Sequence, residues 1–169
     1  AALALTRQGI EVLLLEQAEH IGEIGAGIQL GPNAFNALDA LGAGEATRRR
    51  AVFTDHIIMM DAVDATEVVR IETDEKFRKR FGGAYGVIHR ADIHLSILEA
   101  VQHDPLIQFK TSTHVADVKV KAGGVEVIDT NGNVYSADAV VGCDGVKSVV
   151  REKTIGRHHR VTGHVVYRA

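Results

Sequence analysis

The spacing of apolar positions divides the chain into short segments of alternating type. Ala1–Gln8 carries strong helix formers, and Gly9 follows as a terminator with Arg7 in the last turn. Ile10–Leu15 is a nearly continuous apolar run closed by Glu16. Continuous rather than alternating hydrophobicity predicts a parallel strand covered on both faces. Ala34–Leu41 reads as a short helix that Pro32 can open and Gly42 can end. Ile57–Met60 and Val68–Ile71 predict two strands around the polar turn 61–66, before a charged stretch and Gly82–Gly83. Tyr85–Ile88 is a short strand. A helix then begins near Asp92 and stops at Asp104–Pro105, with Ile93, Ile97 and Val101 marking its core face. Thr111–Lys121, Val125–Thr130 and Asn133–Ser136 predict a three-stranded meander, since Asn131–Gly132 between two β runs is a strong hairpin signal. Ala139–Val141 predicts a buried strand that breaks at Gly142 into an Asp-Gly turn, followed by a helical segment carrying Ser148 and Arg151.

Composition narrows the class. The 169 residues suffice for one ordinary domain with a core, and 46% hydrophobic with 24% charged residues is globular. A formal charge of -3 argues against a nucleic-acid or anionic-membrane partner. The basic runs Arg48–Arg50 and Lys76–Arg80 read as solvated faces. No apolar run approaches the ~20 residues of a membrane span, and no signal-peptide pattern is present. The single cysteine, Cys143, fits a reducing, cytoplasmic setting and reads as a small residue packed at a strand end. His158, His159 and His164 lack the spacing and companion ligands of a metal site, so no metal is expected. Ala1 follows no Met or N-cap, and the strand-like Val165–Ala169 stops without a turn, so both ends read as cut.

Helix, glycine, strand and a strand-end acid make the back half of a βαβ dinucleotide unit, in which Glu16 could accept the hydroxyls of an adenosine ribose. Any βαβ protein with a strand-end Glu would share that half-motif. The glycines at 22, 25, 27 and 31 suit close approach of backbone to a planar or bulky group. Arg90 is either a surface arginine in a helix's first turn, where the macrodipole does not favour it, or a guanidinium that holds a cofactor. Asp144–Gly145 is either an ordinary turn or part of a ligand-binding strand end.

Taken in order, Glu16, the segment Gly25–Asn33, His89–Asp92 and the Asp144–Arg151 stretch resemble the class A FAD-dependent aromatic monooxygenases. The Gly-Ala-Gly-Ile-Gln-Leu-Gly-Pro-Asn-Ala run is similar to the branch of salicylate hydroxylase and 3-hydroxybenzoate 6-hydroxylase. The resemblance implies an α/β fold: a Rossmann-like, mainly parallel FAD-binding sheet of the glutathione-reductase type. A β-meander crossover and part of a mixed β substrate domain would accompany it. It divides the chain into a partial FAD-binding domain (1–52 and 84–156) and a partial substrate domain (53–83 and 157–169). The implied cofactor is FAD, with NADH or NADPH as reductant. The implied reaction is hydroxylation of a small aromatic acid by O2 through a flavin C4a-hydroperoxide, with a homodimer compatible with the class. By the same resemblance Glu16 serves the ribose, Arg90 and Asp144–Gly145 the phosphate and ribityl region, and Gln29 the flavin and substrate pocket. The catalytic base is expected beyond Ala169. A non-catalytic dinucleotide-binding module, or a related hydroxylase acting on a quinone or lipid ring, would fit the same motifs.

Overall fold

A computed structural model describes residues 1–22, 25–156, 160 and 162–163. The residues fall into two compact units. One comprises Ala2–Leu13 with Ile21–Gln108; the other gathers Leu14–His20 with the chain from Phe109 onward.

The first unit opens with α1 (Ala2–Thr6), closed by Gly9 in the left-handed region at φ 74°. Its centre is a small antiparallel sheet of β2 (Gly27–Leu30), β3 (Val52–Phe53) and β6 (Gly86–His89), with β6 in the middle. Over one face lie α2 (Pro32–Ala40), which starts on Pro32 as expected, α3 (Gly44–Arg50) and α5 (Arg90–Gln102). Leu30, Phe35, Leu38, Ala43 and Ile88 form the buried core, and Ile93 and Ile97 of α5 pack against it. Arg50 ties α3 to α5 through Glu99 at 2.7 Å and Ser96 at 3.1 Å. Arg48 and Arg49 pair with Asp39 and Glu45. Arg48 and Arg49 therefore lie on a solvated face, as expected, while Arg50 joins two helices; α3 itself is a helix that the apolar spacing does not predict. A hairpin of β4 (His56–Met60) and β5 (Glu67–Glu72) follows, as predicted, around the 61–66 turn. The charged stretch after it is α4 (Glu75–Phe81). Asp74 caps it by accepting from the Lys76 and Phe77 N–H groups, and Gly82 ends it at φ 73°.

The second unit is the predicted meander: β8 (Val115–Lys121), β9 (Gly124–Asp129) and β10 (Val134–Ala137), all antiparallel. Alternate residues Val125 and Val127 point into a core with Val118, and α6 (Val149–Ile155) closes it through Val150. Gly132 takes φ 81° in the turn between β9 and β10. The buried Asp129 carboxylate gathers that turn, accepting from the Asn131 and Asn133 N–H groups, the Asn133 amide and the Tyr135 hydroxyl. The Asn133 amide is the chief reason its carboxyl sits below the ordinary carboxylate range.

β1 (Val12–Leu15) pairs with β7 (Ile107–Lys110), a strand the sequence reading left unassigned. The Val12 N–H donates to Leu106 C=O and the Glu16 N–H to Lys110 C=O. The ladder advances in the same direction on both strands, so the pair is parallel and the fold is α/β.

Three expectations need correction. Ala139–Val141 is not a strand: it joins no ladder among the described residues, and without a neighbour's N–H and C=O groups an extended segment is not a sheet member. Val140 packs beneath the meander, but Ala139 and Val141 are exposed. Cys143 is likewise exposed, because the segment it follows is not a packed strand. The apolar run before Glu16 is not covered on both faces, since Ile10 and Leu13 are exposed in a pair of only two strands. His158, His159, His164 and the run Val165–Ala169 lie outside the described residues. Among the described residues no cluster of His, Cys, Asp or Glu could hold a metal ion, and no helix is long and apolar enough to cross a membrane.

Candidate functional site

In the first unit the glycine-rich segment and Arg90 come together. β2 runs antiparallel to β6 with Gly27 opposite His89 and Gln29 opposite Val87. The Arg90 N–H extends this pairing to Ala26 C=O at 3.2 Å. A Cβ built on Gly25 would stand 2.6 Å from the Cβ of Arg90, closer than real Cβ contacts come. Glycine at 25 is therefore what lets the chain pass under the stem of Arg90. Arg90 is the first residue of α5, whose N-cap is His89; the His89 Nδ1 accepts from the Ala91 N–H at 3.3 Å. A helix start followed by Asp92 in its first turn fixes where the Arg90 side chain leaves the backbone.

Gln29 is exposed on β2, and the Tyr85 hydroxyl donates to its Oε1 at 2.5 Å. That bond occupies the carbonyl end of the carboxamide and leaves its two N–H donors for another partner. Tyr85 was not among the expected site residues. The signal was present in the alternation of the strand: Tyr85, Val87 and His89 share the face on which Val87 opposes Gln29.

In the second unit Glu16 sits half-buried at the end of β1. Its N–H donates to Lys110 C=O, and its own C=O accepts from the Thr113 N–H at 2.9 Å. Its Oε1 accepts from the Ala18 N–H at 2.8 Å. Main chain on both sides thus holds the acid at the strand's carboxyl end, with Oε2 left as an acceptor.

Asp144 lies in the same unit, exposed in the turn before α6. Its Oδ1 accepts from the Ser148 hydroxyl at 2.5 Å and its Oδ2 from the Val150 N–H at 3.1 Å. Ser148 in turn is the N-cap of α6 and accepts from the Arg151 N–H at 2.9 Å. Partial burial would push the Asp144 carboxyl up, but the Ser148 hydroxyl and the N–H groups of the helix start together outweigh it and hold the carboxyl below its ordinary value. Asp144 therefore has a plain structural task, organising the strand-to-helix turn, whatever else it touches. Gly145 takes φ 76°, and a Cβ there would meet nothing within 4 Å, so its peptide is open to approach. Gly142 is needed for a different reason: a Cβ would stand 2.7 Å from the Val150 Cβ. Arg151 closes the turn by donating to the Val146 C=O.

A strand-end acid with a free oxygen, a glycine with an open peptide at a helix start, and an arginine fixed over a glycine-rich strand suit a nucleotide cofactor. These groups offer an acceptor for ribose hydroxyls, N–H donors for phosphates, and a guanidinium for an anionic or carbonyl edge. The fold is that of an α/β protein with a parallel strand pair. The chain belongs to the FAD binding domain family, whose model matches residues 1–166.

Among curated proteins it is 61% identical over 168 residues to 3-hydroxybenzoate 6-hydroxylase of Klebsiella oxytoca, covering 99% of this chain and 42% of that one. It is 58% identical over 169 residues to 3-hydroxybenzoate 6-hydroxylase of Polaromonas naphthalenivorans (strain CJ2), covering 100% of this chain and 42% of the relative. The chain thus spans less than half the length of these relatives. Among solved structures, Klebsiella pneumoniae HpxO complexed with FAD and uric acid superposes with a TM-score of 0.78 at 24% identity, over 92% of this chain and 38% of that one. The p-nitrophenol 4-monooxygenase PnpA of Pseudomonas putida DLL-E4 gives 0.76 at 19% identity, over 90% and 39%. At these identities the likeness to solved structures establishes the fold.

Proposed function

We propose that the protein to which this chain belongs is an FAD-dependent monooxygenase that hydroxylates 3-hydroxybenzoate at the ring position para to its hydroxyl. The observation that carries this reading is the 61% identity over 168 residues to a 3-hydroxybenzoate 6-hydroxylase. The residues 1–52 and 84–156 are assigned to the FAD-binding domain, and 53–83 with 157–169 to the substrate domain.

When bound, FAD supplies the redox chemistry, accepting electrons from NADH or NADPH and activating O2 for attack on an electron-rich phenol ring. The protein's own part is recognition. The free oxygen of Glu16 accepts from the adenosine ribose. Arg90, held in place by Gly25 and the start of α5, and the Asp144–Gly145 turn address the phosphate and ribityl region. Gln29 faces the flavin and substrate pocket with its N–H donors, and Tyr85 is a positioning residue that fixes the orientation of that carboxamide.

Oxygen uptake by the complete, FAD-loaded protein tests the proposal. With NADH or NADPH present, 3-hydroxybenzoate should stimulate uptake and yield 2,5-dihydroxybenzoate, whereas benzoate should yield no hydroxylated product. Stable FAD binding with no product from any hydroxybenzoate would instead favour a non-catalytic dinucleotide-binding module.

A further inference from the structure

The first unit holds a cavity that the proposed function does not use. It measures about 280 Å³ and is lined by Phe35, Asn36, Arg48, Phe53, Arg78 and the Gly82–Ala84 segment. Sheet register places it apart from Gln29. In the three-stranded sheet Gln29, Val87 and Val52 stand opposite one another, and so do Leu30, Gly86 and Phe53. Opposed residues share a face and successive residues alternate, so Phe53 and Gln29 lie on opposite faces. The ring of Phe35 confirms the side, since a Cβ built on Gly86 would meet it at 3.1 Å.

The lining has two chemical characters. Phe35 and Phe53 form an apolar wall, their ring centroids 5.6 Å apart and tilted by 37°. Phe53 is 39% exposed, so part of its ring faces the cavity opening rather than the core. Arg48 lies over the Phe35 ring at 5.3 Å, held there by Asp39. Arg78 supplies the second guanidinium and is far less committed. One of its terminal nitrogens reaches Asp55 at 3.3 Å, while its Nε is buried without an acceptor. The Nε is closed off from solvent while the side chain as a whole is 38% exposed, so only the rest of the group is open to a ligand.

We propose that this cavity is a second binding site, separate from the Gln29 pocket, for a small aromatic carboxylate. The ring would lie against Phe35 and Phe53, and the carboxylate would accept from the terminal nitrogens of Arg78. The volume of about 280 Å³ is just below the roughly 300–1,000 Å³ range of drug-sized sites, which limits the ligand to one ring. The ligand class follows from the lining and does not depend on the function proposed above.

The test is calorimetric titration of the complete, FAD-loaded protein with benzoate, followed in parallel by flavin absorbance. Two binding events are expected, one of them silent in the flavin spectrum. Arg78→Gln should weaken the silent event by at least about tenfold, the loss of one charge-assisted contact. Asn36→Trp, at an exposed helix position on the cavity wall, should block it without touching Arg78. Both variants should leave the flavin-reported event within about twofold of wild type, a margin below a tenfold contact loss. A wild type with no silent event, or a silent event that persists unchanged in either variant, would overturn the proposal. Loss of the flavin-reported event alone would bear on the proposed function and not on this site.

Discussion

Gly25→Ala is the sharpest perturbation of the candidate cofactor site. The new methyl would lie 2.6 Å from the Arg90 Cβ and 3.6 Å from its Cα. Carbon contacts are favourable at roughly 3.5–4.0 Å, so β2 and the start of α5 must separate by about 1 Å. The obstruction sits at the root of the arginine, so no rotation of a flexible side chain relieves it. Overpacking of this kind costs about 1–3 kcal/mol. Carried wholly into cofactor affinity, that corresponds to roughly 5- to 150-fold weaker FAD binding, at 1.4 kcal/mol per factor of ten. The assay is FAD titration of the complete protein with denaturant unfolding alongside. A double-mutant cycle isolates the contact. Arg90→Ala keeps the Cβ and should leave the stability cost of Gly25→Ala intact, whereas Arg90→Gly removes the Cβ and should abolish most of it. Equal costs in the two backgrounds, or no cost in either, would show that the Gly25–Arg90 Cβ contact does not limit this position.

Three further outcomes are expected. Gly132→Val forces a β-branched residue to φ 81° and should destabilise the fold by about 1–3 kcal/mol in denaturant unfolding, with FAD affinity and substrate choice unchanged. Ser148→Ala removes the N-cap of α6 at a cost of about 0.5–2 kcal/mol; combined with Asp144→Ala the losses should be less than additive, because Asp144 holds the Ser148 hydroxyl. Asp129 is a carboxylate whose folded pKa is depressed, chiefly by the Asn133 amide, so its contribution is full above its unfolded value near ~3.9 and is lost as pH falls through the lower folded value. Unfolding free energy measured across that acid range should fall more steeply in wild type than in Asp129→Asn.

Much of the architecture was legible because local signals and tertiary structure agree. Pro32 at a helix start, Gly42 and Gly9 at helix ends and Asn131–Gly132 in a hairpin need only local backbone preferences, and each stands where the pattern put it. What failed depended on partners. Ala139–Val141 has the composition of a buried strand, but composition does not supply the neighbour that makes a ladder. Ile107–Lys110 has only two apolar residues and reads as loop, yet becomes a strand because β1 offers it a parallel edge. α3 and α4 were hidden by their charge: ion pairs of the α3 arginines with Asp39, Glu45 and Glu99, and of Arg78 in α4 with Asp55, stand where an apolar stripe would mark a helix. At the candidate site the sequence pointed to Gln29, Arg90 and Asp144, while the Tyr85 hydroxyl bond and the capping work of Asp144 required coordinates.

Arg90 and the Asp144–Gly145 turn are each proposed to serve FAD in the complete protein. The direct measurement is the FAD dissociation constant of the complete protein as wild type, Arg90→Ala, Asp144→Ala and the double variant. Ser148→Ala is carried alongside, to separate loss of the helix cap from loss of a cofactor contact. Each of the first two should weaken binding, Asp144→Ala by more than Ser148→Ala, and the double variant should depart from additivity. FAD affinities equal to wild type in both Arg90→Ala and Asp144→Ala would contradict the claim.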